Sequence, residues 1–145
     1  MKKLLCALIF CLSFISAFAW EVIDARDEFG DLTGKKQIVH GRGNRGIVIQ
    51  QDESQTYLFA VSLGGNILGQ NIEIVRVKID NSEPFELKCI VYYGHGFGGY
   101  IDKEYLNLFA NGKVIKFSIP DQNGLYNLER FDLTGLKEAI KEAKW

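Results

Sequence analysis

The chain has 145 residues, of which 47% are hydrophobic and 24% are charged, and its formal net charge is -1. This composition predicts a globular domain and excludes an intrinsically disordered chain, which would have fewer apolar residues and a larger net charge. Because basic side chains are not in surplus, it also argues against nucleic acid or an anionic membrane as the partner.

The first 19 residues have the pattern of a secretory signal peptide. Met1-Lys2-Lys3 is a short basic start, residues 4–16 are an apolar run, and Ala17-Phe18-Ala19 is the small-x-small pattern that signal peptidase recognises. The apolar run contains serines and is shorter than the roughly 20 residues of a spanning helix, so cleavage after Ala19 is favoured over an uncleaved anchor. We therefore expect a periplasmic or secreted protein in which residues 20–145 form a single domain.

Cysteine content limits how this domain is stabilised. Cys6 and Cys11 belong to the predicted leader, so Cys89 is left alone and an intramolecular disulfide is excluded. Cys89 shares a strand face with Leu87 and Val91, which predicts a buried, inert thiol; a reactive or intermolecular thiol is the alternative. A domain of this size can bury enough apolar surface to fold without disulfides.

Short segments of alternating apolar and polar residues, separated by Gly, Asn and Asp, predict antiparallel strands. The expected strands are residues 20–25, 36–42, 45–51, 56–63, 72–79, 85–93, 113–119 and 125–132. Hairpin turns are expected at residues 41–44 and at Asn111-Gly112 and Asn123-Gly124, the pair typical of type I′ turns. In the fifth strand the apolar face changes between Ile74 and Val75, which indicates either a β-bulge or burial of both faces at one end.

Helical spacing replaces this alternation near the C-terminus. Apolar residues recur at helical intervals after Asp132 and Thr134, either of which can act as an N-cap. A second short helix is expected over residues 102–108, capped by Asp102. Together these elements predict a mainly β protein: an antiparallel β-sandwich of about seven to eight strands with a short C-terminal helix on its edge.

The glycine- and aromatic-rich segment at residues 92–100, which we expect to form a loop, is the main candidate binding site. Its glycines allow varied backbone conformations, its rings offer stacking surfaces, and His95 can form a hydrogen bond. We expect Tyr93, His95, Phe97 and Tyr100 to contact a glycan or an aromatic side chain of a partner. The alternative is a hairpin tip whose aromatic rings fold back on the sheet.

Charged residues suggest two further sites. Arg42 and Arg45 form a small cationic hairpin tip that either contacts an anion or a partner, or only keeps the surface soluble. The acidic segment at residues 24–31 has oxygens that could bind Ca²⁺ in an exported protein. Its spacing does not match an EF-hand, so a role in turns is favoured.

The sequence contains none of the usual catalytic motifs. The serines lack a Gly-x-Ser-x-Gly elbow, and His40, His95 and Cys89 do not have zinc-ligand spacing. The glycines of residues 94–99 lack the strand, helix and lysine of a phosphate-binding loop. We therefore expect no enzyme activity, no metal and no cofactor. The alternatives are a small envelope hydrolase that uses His95 or the carboxylates of residues 24–31, and an inhibitor of a secreted enzyme.

Three stretches carry a family resemblance: Trp20 with Asp27-Glu28-Phe29-Gly30-Asp31-Leu32-Thr33-Gly34, then Arg76-Val77-Lys78-Ile79-Asp80, and a closing part that contains Phe131-Asp132-Leu133-Thr134-Gly135-Leu136 and ends at Trp145. They resemble small exported bacterial proteins associated with type VI secretion loci, often called TagO or VasI-like. Members commonly have cysteines near the middle strand and the C-terminus, where this chain has Cys89 alone. The resemblance implies a β-sandwich with a non-catalytic accessory or binding role.

These observations predict an exported, non-enzymatic accessory or binding domain of the bacterial cell envelope. The resemblance adds a link to a secretion system. Its expected partner is an envelope or secreted protein, or a glycan, and we expect a monomer without a membrane span once the leader is removed.

Overall fold

The structure, a computed structural model, describes residues 20–42, 45–52, 55–62 and 67–145, with backbone alone for residues 42, 52, 61 and 62. The predicted signal peptide, residues 1–19, lies outside this part of the chain. The described elements are β1 (Glu21–Arg26), β2 (Leu32–Arg42), β3 (Arg45–Asp52), β4 (Gln55–Ser62), β5 (Gln70–Ile79), β6 (Phe85–Tyr92), β7 (Gly96–Ile101), α1 (Lys103–Asn111), β8 (Val114–Pro120), β9 (Tyr126–Asp132) and α2 (Leu136–Glu142).

All nine of these strands pair antiparallel in one sheet, in the order β1-β2-β3-β4-β7-β6-β5-β8-β9. The sheet curls, so that its first and last strands approach each other: the indole Nε1 of Trp20 donates a hydrogen bond to the Asp132 carbonyl oxygen at 3.1 Å. The prediction of a mainly β antiparallel fold with a short C-terminal helix is confirmed. The predicted sandwich is formed by one continuous sheet that curls, and not by two separate sheets.

Alternate side chains of each strand point to the concave side of the sheet and form the core. Phe97, Phe109 and Phe117 are among the largest fully buried side chains. The ring of Phe97 lies 4.9 Å from that of Phe117, which lies 6.1 Å from that of Phe131. Burial of each such ring stabilises the fold by roughly 1.5–3 kcal/mol, so the core holds together without a disulfide.

The two helices pack on the sheet through short apolar faces. Helix α1 buries Leu106 and Phe109, and α2 buries Leu136 and Ala139. The expected caps differ in detail: Asp102 precedes α1 without a capping hydrogen bond from its side chain, and Gly135, in a left-handed conformation with φ of 92°, occupies the N-cap of α2. Neither helix has the length and hydropathy needed to cross a bilayer, and the same holds throughout the residues described above.

Three local predictions were wrong. Residues 96–101 form strand β7 between β4 and β6, where a loop was expected, because hydrogen-bonding partners on both sides offset the low strand propensity of its glycines. Asn111-Gly112 ends α1 instead of forming a hairpin, since the Gly112 backbone N donates to carbonyls of that helix.

Strand β5 pairs in continuous register through Ile74 and Val75, so it has no bulge there, and the side chain of Ile74 is exposed on the outer face.

Candidate functional site

A cavity of about 340 Å³ opens at one end of the curled sheet. The turn between β6 and β7, the start of β3 and the hairpin of β8 and β9 surround it, and its lining includes the polar residues Arg45, Tyr93, His95, Asp121, Asn127 and Glu129 above the apolar Phe97, Ile119 and Phe131. Four of the six predicted binding residues therefore line one cavity, which we call the mouth cavity.

His95 is placed by the tight turn that joins β6 to β7. Gly94 has a φ of 78°, in the left-handed region that favours glycine, and the His95 backbone N donates to the Tyr92 carbonyl oxygen at 2.9 Å. The Nδ1 atom of the imidazole is buried, and no hydrogen-bonding partner for it is found among the described residues. The ring therefore carries an unused hydrogen-bonding group in the wall of the mouth cavity.

Glu129 lies on the opposite wall. It alternates with Phe131 along β9 and faces Phe117 of β8, which puts a carboxylate on the core side of the sheet. Its Oε2 atom is buried, and the described residues provide no hydrogen-bond donor to it. The Nη1 atom of Arg45 lies 3.6 Å from Oε2, which is close enough for an ion pair but too long for a hydrogen bond.

Tyr93 forms part of the rim and is held from two directions. Its hydroxyl donates to Oε1 of Glu73 at 2.8 Å, and its backbone exchanges hydrogen bonds with Leu68 and Gly69. The hydrogen bond to the carboxylate of Glu73 is the largest cause of a raised pKa of Tyr93, because it stabilises the protonated phenol. The rim at this point is therefore fixed, with its hydroxyl already paired.

The described side chains of the other predicted binding residues do not offer polar groups to the mouth cavity as those of Arg45, Tyr93 and His95 do. Phe97 is fully buried against Phe117, so it shapes the floor of the mouth cavity as part of the core. Tyr100 does not line the cavity: it projects from the outer face of β7 and contacts Tyr57 edge-on at 5.3 Å. The backbone of Arg42 pairs with Arg45 in the β2–β3 hairpin, whereas its side chain lies outside the described atoms.

His40 and Cys89, the other residues considered for chemistry in the sequence, lie outside the mouth cavity. The ring of His40 stacks on Trp20, with a centroid distance of 4.9 Å. Cys89 is a buried free thiol, as the sequence predicted, and burial raises its pKa to about 11. The thiol therefore stays protonated near neutral pH, which disfavours the reactive alternative.

Two carboxylates of the acidic segment, residues 24–31, have partners within the chain. Oδ1 of Asp27 accepts hydrogen bonds from the backbone N atoms of Phe29 and Asp31, each at 2.9 Å, and Asp24 pairs with Lys36. No group of three potential metal ligands occurs among the described residues. The turn role favoured from the sequence is therefore confirmed for Asp27.

Sequence reasoning did not single out Glu129. A signal was present, because Phe131 at a core position of the predicted strand 125–132 puts Glu129 on the same face by alternation. A charged side chain on a core face is uncommon, since a buried charge requires compensation. A glutamate at a core-facing position of a strand therefore indicates a functional residue.

The mouth cavity combines an apolar floor with hydrogen-bonding groups on its walls, the usual composition of a ligand site. Comparison of the chain with protein-family models, with curated proteins and with solved structures finds no match in any of the three. The likeness to TagO or VasI-like proteins therefore stays a prediction.

Proposed function

We propose that the protein is an exported binding domain of the bacterial cell envelope and that the mouth cavity receives a hydrogen-bond-donating group of its partner. One observation carries the proposal: Nδ1 of His95 and Oε2 of Glu129 line the same cavity, are buried, and have no hydrogen-bonding partner in the described chain. A buried polar atom left in this state destabilises a fold by roughly 1–3 kcal/mol, so a ligand that pairs with both atoms gains affinity.

The chemistry of the walls indicates what such a group would be. Glu129 accepts hydrogen bonds, and Nδ1 of His95 accepts one when the ring proton is on Nε2. An amine, a guanidinium group or a set of sugar hydroxyls can donate to both. The floor of Phe97, Ile119 and Phe131 suits the aliphatic or ring portion of the same ligand. The partner is thus a protein that inserts a polar side chain, or a glycan.

Affinity capture from envelope extract tests the proposal. We expect the wild-type protein to retain a specific partner and both His95→Ala and Glu129→Gln to retain about tenfold less of it, with melting temperatures close to wild type. Tyr100→Ala is the matched control, because it removes an exposed aromatic residue that does not line the mouth cavity. Equal retention of the partner by wild type and the three variants would show that the mouth cavity is not the binding site.

Hydrolysis is the second candidate function, because an imidazole and a carboxylate share the cavity and both can act as a general acid or base. Here the purified protein would release soluble fragments from cell-wall material, and His95→Ala would abolish the release. The binding proposal instead predicts stoichiometric capture, with no fragments released by wild type or variant.

The predicted link to type VI secretion remains part of the proposal, as an accessory role for this binding domain. Its support is the resemblance of the opening, middle and closing stretches described above. Deletion of the gene in a secreting strain should then reduce secretion, and complementation with Glu129→Gln should fail to restore it where wild type succeeds.

A further inference from the structure

A row of three cations crosses the outer face of the sheet. Lys78 of β5 pairs in register with Lys116 of β8, which in turn pairs with Arg130 of β9. Side chains directly opposite on neighbouring strands lie about 5 Å apart at Cβ, and like charges at that spacing repel each other. We call these three residues the cation row.

The cation row has little compensation within the described chain: the pKa of the Asp132 carboxyl is lowered mainly by hydrogen bonds from Thr134, and the charge of Arg130 adds to this without forming an ion pair. None of its three side chains has a salt bridge or hydrogen bond to another described residue. Three carboxylates are nearby. Asp80 uses its oxygens to accept from the backbone N atoms of Lys113 and Val114, Asp132 accepts from Thr134, and Glu86 lies opposite Arg76. A shallow depression of about 410 Å³ adjoins the row, and its lining of Asp80, Asn81, Lys113, Val114, Lys116 and Arg130 has three cations and one carboxylate.

Exposed apolar side chains continue the same face. Tyr126 and Leu128 precede Arg130 at two-residue intervals along β9, and Ile74 lies on the same side of β5; Tyr126 and Leu128 are each 66% exposed. We call Ile74, Tyr126 and Leu128 the apolar strip. A soluble anion would need the cations alone and leaves the strip unexplained, whereas a phospholipid surface offers phosphate groups and acyl chains side by side.

We propose that the cation row and the apolar strip together dock the domain on a membrane surface rich in anionic phospholipid. The cations contact the phosphate groups, and the strip enters the boundary between headgroups and acyl chains. The net charge of -1 does not reveal this cationic face, because acidic residues elsewhere in the chain balance its positive charge in the total. The docking is peripheral. Leu128 also lines the mouth cavity, so the tests below vary the other residues of the row and the strip, which do not.

Sedimentation with vesicles tests the charge contribution. The probes are equimolar phosphatidylglycerol and phosphatidylcholine vesicles, and vesicles of phosphatidylcholine alone. All variants keep residues 1–19, in which Lys2 and Lys3 also attract anionic lipid, so each variant is compared with wild type by the ratio of its two affinities. We expect this ratio to exceed about ten for wild type and to fall at least about fivefold in Lys78→Gln/Lys116→Gln/Arg130→Gln. The matched control, Lys103→Gln/Lys141→Gln/Lys144→Gln, changes total charge equally on other surfaces and should keep the wild-type ratio.

A second arm tests the apolar contribution and separates membrane from soluble polyanion. Ile74→Thr/Tyr126→Thr should weaken binding to the anionic vesicles at least about threefold and leave binding to inorganic polyphosphate unchanged. No preference of wild type for anionic vesicles, or an equal loss in the control triple variant, would overturn the proposal. So would unchanged vesicle binding by Ile74→Thr/Tyr126→Thr, which would assign the cation row to a soluble polyanion.

Discussion

Glu129, which we propose contacts the partner, also affects the stability of the fold. Its Oε2 atom is buried without a hydrogen-bond donor among the described residues, its strand position is opposite Phe117, and Arg45 lies at a distance that gives an ion pair only. The side chain of Arg45 is 61% exposed and that of Glu129 is 19% exposed; water screens the arginine, so the pair stabilises the protein by about 1 kcal/mol or less. An unsatisfied buried acceptor destabilises by about 1–3 kcal/mol, so the unfavourable effect is the larger of the two.

We therefore predict that Glu129→Leu raises the free energy of unfolding by about 1 kcal/mol. The leucine fills the same core-side position with an apolar group of similar size. Urea unfolding followed by circular dichroism measures the change. A less stable variant would show instead that the ion pair stabilises this wall, and Arg45→Ala should then be destabilised to a similar extent.

Cys89 gives a prediction about pH. Burial raises its pKa from an ordinary 9.0 to about 11, so the folded state holds the thiol proton more tightly than the unfolded state does. The stability that follows from this difference is fully present below pH 9 and is lost as the pH rises towards 11. We expect the wild-type protein to lose more stability between these pH values than Cys89→Ala does. Parallel losses in the two proteins would contradict the buried thiol.

Strand β7 shows where sequence patterns fail at the scale of an element. Gly96, Gly98 and Gly99 have low strand propensity and no side chains to alternate, so the segment resembles a loop. Its register is set by β4 and β6, which pair with it on both sides. The sequence predicts strands well where side chains alternate, and it cannot predict a strand whose conformation depends on neighbours distant in sequence.

The glycines of β7 should differ in their tolerance of a side chain. A Cβ at position 99 would lie 2.9 Å from Sγ of Cys89 and 3.0 Å from the backbone oxygen of Lys88, and the backbone oxygen cannot move freely. We predict that Gly99→Ala lowers the free energy of unfolding by about 1–3 kcal/mol. At position 98 a Cβ would come closer still to its neighbours, the hydroxyl of Tyr57 and, at 2.8 Å, Cδ2 of Phe59, but both belong to side chains on the outer face that can turn away, so Gly98→Ala should be milder. Equal effects of the two substitutions in thermal unfolding would argue against this packing.

The cation row also affects stability at the scale of paired strands. Lys116 lies between two like charges, and relief of such repulsion is worth about 0.2–1 kcal/mol for each pair. We predict that Lys116→Gln is more stable than wild type at low salt and that the difference shrinks at high salt, where the charges are screened. Lys88→Gln is the control on the same sheet face, because Lys88 is opposite Ile74. A gain for Lys116→Gln that does not depend on salt would rule out repulsion as its cause.

At the scale of the whole molecule, the sheet curls because its concave side holds the apolar side chains, and Trp20 joins its two ends. Trp20 and Asp132 are 112 residues apart, and the hydrogen bond between them ties β1 to the end of β9. Alternation along each strand predicted the mainly β class, since it depends on local sequence. The curl and the strand order depend on contacts between distant strands, which local patterns do not encode.

The candidate site was predictable only in part for the same reason. The segment around His95 was recognisable from its glycines and aromatic residues, but Glu129 joins it through pairing of β9 with β8 on the far side of the sheet. Tyr100 follows Gly99 by one residue and yet faces outwards, because strand alternation separates neighbours. Total charge likewise gave no sign of the cation row, since it averages over faces that the fold keeps apart.

We propose that the mouth cavity binds a partner through His95 and Glu129, whose buried atoms have no hydrogen-bonding partner among the described residues. The most direct test is the affinity of the captured partner for wild type and for Glu129→Leu, measured by titration calorimetry together with the melting temperature of each protein. We expect opposite changes in Glu129→Leu, with affinity weakened about tenfold or more and melting temperature raised. Unchanged affinity in the more stable variant would contradict it.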